Sequence, residues 1–231
     1  MSDFILDQLE EAIILKEFLS NEQLPSEREL ATLFNCSRIT LRDALSALEN
    51  KGLIEKRLGA KGGTFVLPVT QNAYNQKKEK IKTMWSELLD LFEFRLIIEP
   101  EAAKLAADRR STADLDKLEL LLHQSQSETI SREEFRSIDV KIHLLIGQAS
   151  GNAYIASDVR KIRTRINPAL DLMPFSHEVK SSTITHHKQL IDAFKRKDAT
   201  LAKDIMYQHI HGTSNAVAKR MSLKTITHDE T

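Results

Sequence analysis

Four residues in the second half of this 231-residue chain are of the right types to hold a metal ion. Asp139 and His143 stand four apart in SIDVKIHLLIGQASGN. On a helix they share a face, with Ile138, Ile142 and Ile146 beside them. A carboxylate and an imidazole then both point into an apolar interior, where each costs free energy unless it has a partner. His187 lies on the side of Leu190, Ile191 and Phe194, and His209 on the side of Ala202, Ile205 and Ala216. Their neighbours His186 and His211 are turned away by roughly 100° and 200° on ideal helical geometry. Three inward imidazoles and one inward carboxylate suit Zn²⁺ or another borderline divalent ion, with positions open for water or a ligand. Judged singly, each has a blander reading, because a core Asp–His pair on one helix is common and a lone inward histidine is usually a satisfied core residue.

The elements that must position these groups are helices. From Met84 onwards every segment has a helical period and none alternates as a strand does. The pattern predicts helices at about 78–97, 99–109, 112–126, 131–149, 152–171, 180–196 and 198–221. Glu99-Pro100 suits a fresh helix start. Asn167-Pro168 and Met173-Pro174 are expected to interrupt the fifth helix. The Ala-rich EFRLIIEPEAAKLAADRR allows close helix approach. Near the N-terminus, residues 3–19 read as an amphipathic helix packing through Phe4, Ile5, Leu9, Ile13 and Phe18.

A second constellation runs from Leu24 to Val66. Ser26 with Glu29 is a capping box that starts a helix with Leu30, Leu33 and Phe34 on its apolar side. Asn35 falls where the chain must turn. Ser37 caps the next helix and Gly52 ends it. Leu41, Ala44, Leu45 and Leu48 line one face of that helix, while Arg38 and Arg42 are one turn apart on another. An apolar back with donors near the N-terminus is what a DNA recognition helix requires. Two short β-prone runs around GAKGG, with Lys61 at the tip, read as a wing.

This stretch closely resembles the winged helix-turn-helix of the GntR family of bacterial transcription regulators. LPSERELA, SRITLR, ALSALENKG and GGTFV carry the resemblance with the right internal gaps. The resemblance places Arg28 on a phosphate or base edge. It places Ser37, Arg38, Thr40 and Arg42 at the major groove, and Lys61, Gly62 and Gly63 at the minor groove. Arg suits a guanine edge because its forked donors meet O6 and N7 together. Ile39, between these polar residues, is placed to touch a thymine methyl. Upstream, where the family usually has Gly and Pro-Gly, this chain has Glu17 and Ser20-Asn21, so an altered turn is expected there.

The second half resembles the all-helical FCD ligand-binding domain of the FadR subfamily. ELLDLFEFRLIIEPEAAKLAA, DVKIHLLIGQASGN and HHKQLIDAFKRKDATLAKDIMYQHI carry that resemblance. It implies that Asp139, His143, His187 and His209 coordinate a divalent cation, Zn²⁺ first and Ni²⁺ or Mn²⁺ next. It also implies that Arg95 lies in the helix opening the domain. There it would either clamp an effector carboxylate or pair with Glu99. Arg163 and Arg165 are weaker candidates for the clamp.

The expected fold class is mostly α. An N-terminal winged helix-turn-helix of three helices plus a β-hairpin wing spans 1–70, and a linker spans 71–82. An all-α bundle of six to seven helices spans 83–222, and a polar tail spans 223–231. Formal net charge is zero. From Arg28 to Val66, however, there are seven Lys plus Arg against four Asp plus Glu, and seven acidic residues before Arg28 cancel that surplus. Modest non-specific affinity follows, so a homodimer on a palindromic duplex is expected. No stretch approaches the roughly 20 apolar residues that span a bilayer, and no signal peptide is evident. The single cysteine, Cys36, allows no internal disulfide. A cytoplasmic location is expected. The leading functional reading is a repressor controlled by a small organic acid or sugar acid at the metal. The alternatives are a structural or sensing metal, and a metal-dependent enzyme. The last lacks a spare carboxylate as general base.

Overall fold

A computed structural model describes residues 1–59, 62–68, 78–173 and 175–223. The chain forms two compact units, Met1–Ala73 and Tyr74–Thr231. Pro174, Lys61, most of the 71–82 segment and all but the first residue of the expected 223–231 tail lie outside the described residues.

In the first unit, α1 (Ser2–Ile14) buries Ile5, Leu9 and Ala12. It stops short of the expected Leu19, and Lys16 then turns the chain in a left-handed conformation. Leu15, rather than the exposed Phe4, completes this face. Helix α2 (Glu27–Leu33) starts at the expected capping box, in which Ser26 N donates to Glu29 Oε2 at 2.8 Å and Glu29 N donates to Ser26 Oγ at 3.3 Å. Leu30 is buried, but Leu33 is exposed, so the apolar side of α2 is narrower than expected. Asn35 has φ 47°, the left-handed turn its type permits. Helix α3 (Arg38–Asn50) is capped by Ser37 Oγ, which accepts from Thr40 N at 3.1 Å. Its back of Leu41, Ala44, Leu45 and Leu48 is fully buried.

Strands β1 (Ile54–Arg57) and β2 (Gly63–Val66) pair antiparallel, with Ile54 opposite Val66 and Arg57 opposite Gly63. The segment before α2 lies on the other edge of β2, where Asn21 N donates to Val66 O at 2.9 Å and Leu24 N to Thr64 O at 2.8 Å. Asn21 itself is left-handed (φ 65°). The departures at Glu17 and Ser20-Asn21 are therefore accommodated by Lys16 and Asn21 in conformations that glycine adopts more cheaply. Gly62 is required by close approach, since a Cβ there would meet the backbone oxygen of Arg57 at 2.5 Å.

The second unit is helical throughout its described elements: α4 (Trp85–Arg109), α5 (Thr112–Ser125), α6 (Arg132–Ala149), α7 (Ala153–Leu170), α8 (His177–Arg196) and α9 (Ala199–Met221). Two expectations are corrected. Pro100 does not begin a new helix; it lies inside the 25-residue α4. Pro168 does not interrupt α7, which runs on to Leu170. In both places burial on flanking turns outweighs the lost backbone hydrogen bond. Helix α8 also begins earlier than expected, because Ser176 Oγ accepts from Val179 N. Full capping boxes start α5 (Ser111/Asp114) and α6 (Ser131/Glu134). Gly147 lets α6 and α7 approach, since a Cβ there would stand 3.2 Å from Val159 Cβ.

The core of this unit consists of two apolar clusters. One joins Leu96, Ala103, Ile142, Val159, Phe194 and Ile210, among others; the second joins Trp85, Phe92, Ile162, Ile166 and Val217. Along α4, α7 and α9, the residues where one cluster gives way to the other are polar. Every buried ionisable residue among those described belongs to this layer: Arg95, Glu99, Arg136, Asp139, His143, Arg163, His187 and His209.

Candidate functional site

The centre of the polar layer is built by three helices. Helix α6 supplies Asp139 and His143, one turn apart, α8 supplies His187, and α9 supplies His209. Their ligand atoms all lie within 4.8 Å of one another. His143 Nε2 is 3.2 Å from His209 Nε2. Asp139 Oδ1 is 3.6 Å from His187 Nε2, 3.7 Å from His143 Nε2 and 3.9 Å from His209 Nε2. Four donors about 2.1 Å from a common centre stand roughly 3.0–3.5 Å apart, close to the spacings about Asp139 Oδ1 and between His143 and His209. His187 Nε2 is buried without a hydrogen-bond partner, the condition of a nitrogen whose partner is a cation. By donor chemistry and by geometry, the four residues could hold a divalent metal.

Further side chains orient the cage. The Glu99 carboxylate meets His143 Nδ1 through Oε2 and accepts from Arg95 Nε through Oε1 at 2.7 Å. Turning Nδ1 to Glu99 leaves His143 Nε2 for the ion, a carboxylate–histidine pairing typical of metal sites. Asp139 divides its oxygens in the same manner. Oδ2 accepts from Arg163 Nη2 at 2.7 Å and faces Arg136 Nη1 at 3.7 Å, while Oδ1 faces the imidazoles. Burial alone would raise both carboxyls. The charges of Arg95, His143 and Arg163 overcome it at Glu99, and those of Arg163 and Arg136 at Asp139, holding both well below the ordinary carboxylate range. Burial pushes His187 and His209 the other way. His187 is lowered to about 3, against the attraction of Asp139, and His209 is lowered as well. Asp139 kept charged, with His187 and His209 kept neutral, are the protonation states that ligate.

Arg95 is thus paired with Glu99, one of its two expected arrangements, and its Nη1 remains buried without a partner. Arg163 is part of the layer. Arg165 is not: its side chain is half-exposed and pairs with Glu87. A cavity of about 230 Å³ between the end of α7, α8 and α9 is lined by His209 and by residues including His186, Thr183 and Thr213. From sequence Glu99 is expected only as a pairing partner of Arg95, not as a partner of His143, and Arg136 is not singled out. Each would have been visible only as an inward charge on its helix.

In the first unit, Arg28, Ser37, Arg38, Ile39 and Arg42 are all exposed and Thr40 is half-exposed, while the opposite side of α3 is sealed. Ile39 exposes 74 % of its surface, unusual for so apolar a side chain. Arg42 Nε donates to Glu27 Oε2 at 2.9 Å. On the wing, Gly62 and Gly63 are half-exposed, and Arg57 stacks over the Phe65 ring at 4.2 Å.

Comparison with known proteins matches this division. Residues 90–212 match the FCD domain, and residues 1–66 match the family described as bacterial regulatory proteins, gntR family. The Uxu operon transcriptional regulator of Escherichia coli is 27 % identical over 228 residues, covering 96 % of this chain and 88 % of that protein. The transcriptional repressor NanR of Cronobacter sakazakii is 24 % identical over 216 residues, covering 91 % and 83 %. Among solved structures, E. coli McbR/YncC shares the fold with TM-score 0.57 and 16 % identity, over 94 % of this chain and 97 % of that one. No described helix is long and apolar enough to cross a membrane. The chain belongs to the GntR family of bacterial regulatory proteins, in the FadR-type branch that carries an FCD domain, and is a transcription regulator rather than an enzyme.

Proposed function

We propose that this regulator is a repressor, acting as a homodimer on a palindromic operator. In this reading a small carboxylate bound at a divalent ion in the helical unit controls its DNA affinity. The observation that carries it is the convergence of Asp139, His143, His187 and His209 at the centre of the bundle. Arg28, Ser37, Arg38, Ile39, Thr40, Arg42, Lys61, Gly62 and Gly63 form the DNA surface. Arg38 and Arg42 read base edges, and the wing glycines let backbone approach the minor groove. Zn²⁺ fits a site of three imidazoles and one carboxylate, and leaves room for a further oxygen ligand. Repression is supported by the names of the relatives. Control works by population shift: an acid that binds one dimer geometry better than another draws the DNA-binding units with it.

A second reading makes the ion purely structural. The near-complete burial of all four donors favours it, while the cavity that reaches His209 favours access from solvent. One experiment separates them. Fluorescence anisotropy on a duplex selected by the protein from a random library is measured with zinc-loaded protein, with chelated protein, and with zinc plus candidate acids. Melting is followed in parallel. An acid-dependent change in DNA affinity at constant zinc is the expected result. A chelator that lowers melting, with no acid affecting DNA binding, leaves the ion structural.

A further inference from the structure

An arginine that reads a base edge needs more than exposure. Its guanidinium must reach the groove in one orientation, and a long side chain loose in solvent gives up rotamer freedom to do so. Arg42 is already held. Its Nε donates to Glu27 Oε2 at 2.9 Å, so that α3 is joined to the first turn of α2. The two positions are 15 apart in the chain, and the packing of α2 on α3 brings them together rather than the pitch of one helix. Arg38, one turn earlier on α3, has no such partner among the described residues. Both members of the pair reach solvent, with side-chain exposures of 60 % for Arg42 and 31 % for Glu27. An ion pair this open contributes little to stability, so its effect is on direction rather than on folding. Glu27 engages Nε, and the end of the guanidinium formed by Nη1 and Nη2 is left whole. Those nitrogens are the paired donors that meet guanine O6 and N7 together. The carboxylate also offsets the charge of Arg42, which lowers the attraction of this surface for phosphates of any sequence.

We infer that Glu27 is a positioning residue for sequence recognition: it aims the terminal fork of Arg42 at the major groove and restrains the attraction of that side chain to phosphate. This role rests on the reading of Arg42 as a base contact and adds how the side chain is directed. An acidic residue in the first turn of α2 also suits the positive end of the helix. If that were all Glu27 did, its loss would lower melting and weaken binding to every duplex alike. Positioning instead requires opposite changes on specific and random DNA.

The test uses the full-length protein as wild type, Glu27→Ala, Arg42→Ala and the double variant, with melting followed for each. Fluorescence anisotropy is measured on the duplex selected by the protein from a random library and on a shuffled duplex of equal length. With Arg42 present, Glu27→Ala should weaken binding to the selected duplex by about two- to tenfold, the effect of leaving one rotamer-rich side chain to be ordered on binding. The same change should strengthen binding to the shuffled duplex and steepen its log–log salt dependence by about 0.9, one further phosphate neutralised. In the Arg42→Ala background the loss on the selected duplex should disappear. Glu27→Gln keeps the size of the side chain and should lower the ratio of selected to shuffled affinity in the same sense by less. That ratio does not depend on the fraction of protein folded, so a destabilised variant still reports. A loss shared by both duplexes, a loss that persists without Arg42, or a ratio unchanged in both Glu27 variants overturns the positioning role and leaves Arg42 a base contact. A ratio unchanged by Arg42→Ala overturns both readings.

Discussion

Acidifying the metal-free protein from pH 7 to pH 5 should weaken the helical unit, and His187 sets the size of the effect. Burial lowers its imidazole to about 3 in the fold, against about 6.5 in an unfolded chain. Between these values the unfolded chain binds a proton that the fold refuses. Stability is therefore fully present above about pH 6.5 and is lost as pH falls towards 3. Integrated from pH 7 to pH 5, the loss from His187 alone is about 2 kcal/mol. His209, lowered mainly by burial, adds to it with the same sign. Asp139 and Glu99 do not confuse the window. Their folded values lie below the usual carboxylate range, so their contribution is present above that range and is lost only at lower pH. The assay is direct, because Trp85 is the single tryptophan of the chain and sits buried in α4. Its fluorescence during urea unfolding, in the presence of chelator, follows this unit alone. Wild type should lose about 2 kcal/mol more between pH 7 and 5 than His187→Gln, which has no proton to bind. Parallel pH dependence in the two proteins would refute a neutral, desolvated imidazole at this position.

Two further outcomes are expected. Glu99→Gln keeps the shape but removes the charge that orients His143, and should weaken zinc binding by about 10- to 100-fold in competition with a chromogenic chelator; unchanged affinity would strip Glu99 of that role. Arg42→Ala should weaken binding to the selected operator by roughly 1–3 kcal/mol, with zinc affinity unchanged; equal loss on random duplex would make Arg42 a phosphate contact.

The cage was legible because two of its donors come from one helix at a fixed spacing and the other two fall on apolar faces of theirs. Periodicity alone turned His187 and His209 inward and His186 away, and the structure buries the first two and leaves His186 half-exposed. Glu99 escaped because its partner His143 lies 44 positions along the chain, whereas the i,i+4 neighbour Arg95 offered a sufficient local explanation. The prolines misled for a related reason. Local rules end a helix at Pro100, but Ala102, Ala103, Ala106 and Ala107 are buried beyond it, and that packing carries α4 through. Leu33 shows the limit of periodicity on a seven-residue helix, where two turns of pattern cannot fix which edge faces the core.

Those two prolines have a mechanical consequence. Pro100 follows Glu99 in α4, and Pro168 follows Asn167 in α7, so each stands beside a buried polar residue. Lacking an N–H, each leaves the carbonyl one turn earlier, at Leu96 or Thr164, without its ladder partner. A rod with a missing rung flexes there more cheaply than elsewhere along its length. Any tilt of one greasy half of the bundle against the other is therefore concentrated at the height of the three imidazoles, where the backbone is most compliant.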